Sequence, residues 1–384
     1  MFIKKVIDRN KQLVDCAVKL SRDFVIRPDT FVVDVDQFVE NARIMLKEAK
    51  MNNIKLYYMM KQLGRNPYLA KILTDMGYSG AVVVDYKEAE LLMKHHIPIC
   101  NVGHLVQTPN YLIEELIVYG VDYFTVFSIE KIRKINMYAK KHDVVQKIML
   151  RVIDDNDLIY SGQNEGILLK DLEKLVEQVK ELDNVEIDCL TVFPAILFDK
   201  DKLCFEETEN LRTMKKAEVI LNNLDIKISE MNVPSATCTC SISLIKKLGG
   251  TVGEPGHGLT GTTPAHAVLD LKEKTAVVYV SEVSHNFKDH AYFFGGGFYR
   301  RGHWKNAYVV KEDGEGVIDE VILPDLESID YYIGLKGNHE VGDIVINSFR
   351  FQMFTSRSDV VLIEGIHGDK PYVIHTYGPL GDKL

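Results

Sequence analysis

The chain has no run of apolar residues near the roughly 18 that a membrane span needs, and Met1–Asn10 (MFIKKVIDRN) is too polar for a signal-peptide core. The expectation is a cytoplasmic protein with no membrane partner. It also lacks a basic stretch. With a formal charge of −9 and a pI near 5.8, it offers no cationic stripe for nucleic acid, and a small-molecule ligand is expected instead. Its six cysteines are scattered, and only Cys238 and Cys240 are close, at a spacing unlike that of a zinc knuckle, so thiols are expected. Neither internal repeat nor low-complexity segment is found.

Apolar material is not scarce. At 384 residues and 46% hydrophobic, the chain can build a large core and a smaller second domain. An amphipathic helix marked by Val6, Leu13, Val14, Ala17 and Leu20 is predicted up to Arg27-Pro28. A strand at Phe31–Asp36 and a helix through Leu46 follow. Strands are then predicted at Ile54–Met60, Ala81–Asp85, Ile99–Gly103, Tyr123–Phe127, Lys147–Val152, Ile187–Val192, Ile226–Asn232 and Thr251–Glu254, with helical patterns between them. These strands are apolar almost throughout, as burial on both faces of a parallel sheet requires. A doubly wound open sheet would alternate in the same way, but eight units favour a closed (β/α)8 TIM barrel, so the class is α/β. From about Leu271 short β segments separated by turns such as Asp313-Gly314 predict a mainly antiparallel C-terminal β-domain. The expected division is 1–45 as helix and strand leading into or packing on the β-domain, 46–270 as the barrel, and 271–384 as the β-domain.

Active sites of such barrels lie at the carboxyl ends of the strands. Lys61 ends the first strand and Glu254-Pro255-Gly256-His257 ends the eighth, and closure puts those strands side by side. An amine and a carboxylate at one mouth suit a carbonyl cofactor, since a partly desolvated lysine can form a Schiff base. Glycines and hydroxyls at Gly253–Thr263, and the loop Asn232-Val233-Pro234-Ser235-Ala236-Thr237 after strand seven, could cradle a phosphate through backbone amides. Together the two loops point to a phosphorylated ligand.

These residues resemble the fold-type III pyridoxal-phosphate enzymes, relatives of alanine racemase and of diaminopimelate and ornithine decarboxylases. The carriers of the likeness are Lys61, the Glu254-Pro255-Gly256 motif and the leader Phe31–Asp36 with Asn41. Tyr58–Pro67, Gly103-His104-Leu105-Val106-Gln107 and Gly295-Gly296-Gly297-Phe298-Tyr299-Arg300-Arg301 resemble the YhfX-like branch in particular. The resemblance implies pyridoxal 5'-phosphate bound as a Schiff base to Lys61, with Glu254 on the pyridine nitrogen, where alanine racemase has an arginine. It departs from the decarboxylases too, which carry arginine where His257 stands and a Cys-Asp-Gly motif that is missing here.

The resemblance further implies a head-to-tail homodimer in which the partner's β-domain supplies a second acid/base; Asp330 and Tyr331 are the candidates. Tyr377 resembles a C-terminal tyrosine that touches the cofactor phosphate. Gly256, His257, Asn232, Ser235 and Thr237 are read as cofactor-binding. His104, at the end of strand three, and Arg151, on strand five, are read as contacts to cofactor or substrate. Phe193-Pro194 could stack under the ring, and Arg300, Arg301 and His303 could clamp a substrate carboxylate. His285, His290 and His303 lack the His-X-Asp or His-X-Cys pair of the metal-dependent relatives, so no metal is expected. The expected function is proton exchange at the Cα of an amino acid, racemase-like. The alternatives are a decarboxylase or lyase using the same cofactor, or a cofactor carrier without turnover.

Overall fold

The computed structural model describes residues 2–368 and 370–384, and among them no helix is long and apolar enough to cross a membrane. Two helices, α1 (Phe2–Arg9) and α2 (Lys11–Arg22), open the chain where one was expected. Asn10 makes the break. Its side-chain oxygen accepts the Leu13 N–H, while its amide donates to Asp34 Oδ2 and to the Thr275 carbonyl, both at 3.0 Å. Capping thus satisfies a helix N–H that would otherwise lack a partner. The fully buried strand β1 (Thr30–Asp34) follows, and then α3 (Val35–Asn52).

Eight parallel strands come next. They are β2 (Lys55–Met59), β3 (Gly80–Val82), β4 (Ile99–Val102), β5 (Tyr123–Val126), β6 (Gln146–Ile153), β8 (Val185–Thr191), β11 (Glu230–Val233) and β12 (Val252–Gly253). Each pairs with the next, and β12 pairs with β2 through Val252↔Lys55 and Gly253↔Leu56, so the ring is closed. A two-residue β7 (Ile167–Leu168) lies beside β6, and an unanticipated hairpin, β9 (Ile196–Asp199) with β10 (Cys204–Glu207), follows β8. The intervening helices, which include α4 (Pro67–Met76) and α8 (Leu172–Val179), have conventional ends where a cap is made. Asp85 caps α5 (Tyr86–Lys94), Ser128 caps α7 (Ile129–Lys141), and Gly120 at φ 90° ends α6 (Ile113–Tyr119). β11 starts later than expected because the Ile226 N–H closes the end of α9 (Glu209–Asn223) on the Leu221 carbonyl. The last barrel helix is α10 (Thr239–Lys247).

The remaining strands are β13 (Val277–Phe287), β14 (His290–Phe294), β15 (Asn306–Val310), β16 (Gly316–Ile322), β17 (Tyr332–Lys336), β18 (Ile344–Asn347), β19 (Asp359–Glu364) and β20 (Tyr372–Tyr377). Their order is β14-β17-β16-β15-β18-β13-β1-β19-β20, and β14 also pairs with β13, so six antiparallel strands close on themselves. This is the expected class: a parallel barrel followed by a mainly antiparallel β-domain. β17 was not anticipated; within it a Cβ at Gly334 would come within 3.1 Å of Ile322 Cβ, and glycine permits the close approach. Contacts divide the chain into two compact units, one of Met45–Met60 and Pro67–Gly256, the other of residues up to Ile44, Lys61–Asn66 and His257 onward.

At the amino-terminal end of the barrel, Asp188 gathers Tyr123 Oη at 2.6 Å, Ser229 Oγ at 2.5 Å and Lys147 Nζ at 2.9 Å. Burial pushes its carboxyl up, but these three donors and the Lys147 charge hold it below the ordinary value. Asp188→Ala would strand the three donors and should lower unfolding stability by about 2–3 kcal/mol. A shift in the urea midpoint relative to the unsubstituted chain measures the loss.

Candidate active site

In the barrel unit the register of closure sets the geometry. Beyond the two paired residues of β12, the Met59 N–H reaches the Pro255 carbonyl at 2.9 Å, so the carboxyl end of β2 lies against the Glu254-Pro255-Gly256 segment. Glu254 is almost buried. Its Oε1 accepts Asn232 Nδ2 at 2.7 Å, and its N–H donates to Thr237 Oγ1 at 3.0 Å. Asn232, fully buried on β11, also donates to Thr191 Oγ1 at 3.2 Å, and its Oδ1 has no hydrogen-bond partner among the described residues. Buried polar atoms are normally paired, so this oxygen marks a place suited to a donor from elsewhere.

Across the same strand ends Arg151 on β6 is 2% exposed. It donates to the His104 carbonyl at 3.0 Å and forms an ion pair with Glu165. Its guanidinium carbon lies 5.7 Å from the Phe127 ring and 5.9 Å from that of Phe193, which precedes a cis Pro194. His104 meets Phe193 edge-on at 5.9 Å. Burial lowers the Arg151 pKa, and the negative charges of Glu165 and Glu254 partly offset it. Asn232, Thr237, Glu254, Arg151 and His104 therefore share one end of the barrel. Gly256 is buried in the segment that follows Glu254. Ser235, at φ 80°, is occupied differently: its hydroxyl accepts the Ala195 and Ile196 N–H groups and donates to the Ile196 carbonyl, pinning the chain after Phe193-Pro194. Glu165 and Phe127 did not emerge from the sequence. Only a carboxylate between two loop glycines, Gly162 and Gly166, could have hinted at the former.

In the other unit Lys61 begins a one-turn 3-10 helix, Lys61–Leu63. His257 is buried, with Nδ1 3.0 Å from Thr262 Oγ1 and Nε2 3.4 Å from Gln352 Nε2. Burial drives its pKa far down, and the charges of Arg350 and Lys61 add to the effect, so the imidazole is neutral at pH 7. Lys61 and Arg350 thus place positive charge near a neutral His257, and of the two Arg350 was not anticipated. Tyr377 is buried at the end of β20 opposite Val360, and burial raises its pKa. Asp330 is held by Arg357, at 2.8 Å to its side chain and 3.2 Å to its carbonyl, whereas Tyr331 is 66% exposed. Arg300, Arg301 and His303 are exposed. His285 stacks on Tyr292 at 5.0 Å and His290 bonds the Asp289 carbonyl. Among the described residues no group of three or more His, Cys, Asp or Glu could hold a metal ion.

A barrel whose first strand is followed by a lysine and whose eighth is followed by Glu-Pro-Gly, in a chain that goes on to an antiparallel β-domain, defines a class of fold. Among solved structures the chain is similar to alanine racemase from Clostridium difficile 630, with a TM-score of 0.63 at 18% identity over 92% of this chain and 99% of that one. D-threonine aldolase from Filomicrobium marinum aligns at TM-score 0.67 and 15% identity over 93% of this chain and 95% of that one. Diaminopimelate decarboxylase from Helicobacter pylori, complexed with L-lysine, aligns at TM-score 0.67 and 13% identity over 93% and 94%. Such identities speak for the fold alone.

The alanine racemase N-terminal domain matches residues 33–264, and the YhfX-like C-terminal domain matches residues 278–373. An uncharacterized protein YhfX of Escherichia coli (strain K12) is 39% identical over the whole of both chains. The chain belongs to the alanine racemase N-terminal domain family, in its YhfX-like branch, as the sequence motifs implied.

His266, near His257, is buried with Nδ1 2.6 Å from Thr263 Oγ1, and burial lowers its pKa to about 3. Glu273 Oε2, 3.9 Å from its Nε2, is too far to hydrogen-bond and does not offset that burial. A histidine neutral in the folded chain takes up a proton on unfolding at any pH between the two pKa values. Stability should therefore fall as pH drops from about 6.5 towards 3, by up to about 2 kcal/mol between pH 6.5 and 5 from His266 alone. The urea midpoint of His266→Gln should vary less steeply over this range than that of the unsubstituted chain.

Proposed function

We propose that the protein is a pyridoxal 5'-phosphate enzyme acting at the Cα of an amino acid, with racemisation as its first reaction. The observation that carries the reading is the buried Asn232–Glu254 pair at the carboxyl end of the barrel. A carboxylate buried at a barrel mouth is stabilised by cationic and N–H partners, of which the Asn232 amide is one. A protonated pyridine nitrogen is such a partner, and the donor set fits it: Asn232 fixes one Glu254 oxygen and Thr237 holds its backbone. Neutral His257 cannot act as a cationic phosphate ligand, and we assign the phosphate to the backbone N–H groups of Gly256 and its neighbours. When bound, the cofactor supplies an electron sink that makes a bond at the substrate Cα easier to break.

In this reading Lys61 binds the cofactor through its amine and moves a proton to or from the substrate Cα on one face. Glu254 holds a proton on the ring nitrogen. Arg151, charge-balanced by Glu165, and His104 bind and orient at the strand ends, and Phe193 excludes water beside them. Tyr377 is assigned to the phosphate side. The second face needs its own acid/base, and we assign it to Asp330 or Tyr331 of the partner in a head-to-tail homodimer. A decarboxylase or lyase is the second reading, since Glu254 in place of the arginine of alanine racemase gives the ring a stronger electron demand.

Incubation with L- and D-amino acids in deuterated water tests the reaction. Deuterium entering Cα with inversion and no loss of carbon is expected; release of carbon dioxide or a keto acid would favour the second reading, and unchanged substrate throughout the panel would sink both. Glu254→Gln should keep pyridoxal bound to Lys61 but slow exchange by about a hundredfold or more, since it removes charge stabilisation at the developing centre. Borohydride trapping and the exchange rate report the two effects separately.

A further inference from the structure

The turn that bears Lys61 packs with residues from near the end of the chain. Gly64 lies at φ 62°, in the left-handed region, and a Cβ there would sit 3.1 Å from the Pro379 carbonyl oxygen and 3.3 Å from Val360 Cγ2. The next residue, Arg65, is also left-handed at φ 54° and is 4% exposed. Its guanidinium carbon lies 5.2 Å from the Phe354 ring centroid, on the short 3-10 turn Met353–Thr355. An arginine is rarely so buried, and an aromatic face is a fitting surface for its weakly hydrated cation. Two consecutive residues thus adopt conformations that cost energy for most side chains, and each makes a specific contact with a distant segment.

We infer that Arg65 and Phe354, with the Gly64–Pro379 approach, are positioning elements that fix where the Lys61 amine is delivered. The inference rests on the reading that Lys61 carries the cofactor. Strand β2 ends at Met59, so its ladder cannot set the turn that follows. An amine that must attack an aldehyde is sensitive to small displacements, and a misplacement of about 1 Å can cost roughly a hundredfold. Ordinary packing makes a different prediction: loosening the contact would lower stability and leave the reactivity of the folded fraction unchanged.

The test titrates the full-length protein and its Phe354→Leu, Phe354→Tyr and Gly64→Ala variants with pyridoxal 5'-phosphate, reduces with borohydride, and quantifies label at Lys61 by peptide mass spectrometry. Circular dichroism and thermal unfolding follow the fold. The unsubstituted chain should label at Lys61 in preference to other lysines. Phe354→Leu and Gly64→Ala should stay folded yet need about tenfold more reagent for half-labelling, with a displaced pH profile, and Phe354→Tyr should restore the original behaviour. Equal labelling and an unchanged pH profile in folded variants would overturn the inference, as would label lost only in proportion to unfolded chain. Absence of label at Lys61 in the unsubstituted chain is a separate result, which overturns the cofactor reading and this inference with it.

Discussion

Two residues close the ring. Val252 and Gly253 are the whole of β12, yet their pairing with Lys55 and Leu56 joins the last barrel strand to the first, and the Met59–Pro255 hydrogen bond continues the seam. Everything at the carboxyl end takes its register from that seam. A side chain on a strand alternates faces residue by residue, so a slip of one would turn Glu254 away from Asn232 and out of the barrel end. The brevity of β12 is compensated on its other side, where β11 pairs with it through Asn232↔Val252 and Val233↔Gly253.

The polar groups that the seam brings together are buried in one another's company. Glu254 is served by Asn232 and Thr237, and Arg151 by Glu165, the His104 carbonyl and two aromatic faces. Low local polarity strengthens each of these interactions and penalises every unmatched atom, so such a cluster tolerates few rearrangements. The opposite end of the barrel follows the same logic around Asp188, where hydroxyls and an ammonium surround a single carboxylate. One end is saturated with partners from the chain itself. The other retains a buried acceptor at Asn232 Oδ1.

Barrel strands were legible because both faces are buried, which writes nearly continuous apolar segments such as Leu56-Tyr57-Tyr58-Met59-Met60 into the sequence. Lys61 and Glu254 stood out for the same reason, as charges terminating apolar runs. What escaped depends on contacts between residues remote in sequence. Asn10 breaks the first helix because Asp34 and Thr275 wait for its amide. Glu165 matters only because a loop folds back on Arg151, and β17 contains a glycine whose purpose is the neighbouring Ile322. Ser235 was legible as a small polar loop residue, but its hydroxyl is spent on the backbone of Ala195 and Ile196, a use that no local pattern encodes.

Gly64 touches Val360 and Pro379, so almost the entire chain separates the two sides of that contact. A ribosome makes the lysine-bearing turn long before it makes Val360 and Pro379. A product cut short before Pro379 retains Lys61 without this neighbour of its turn. Contacts at this turn are thereby made between segments that leave the ribosome far apart in time.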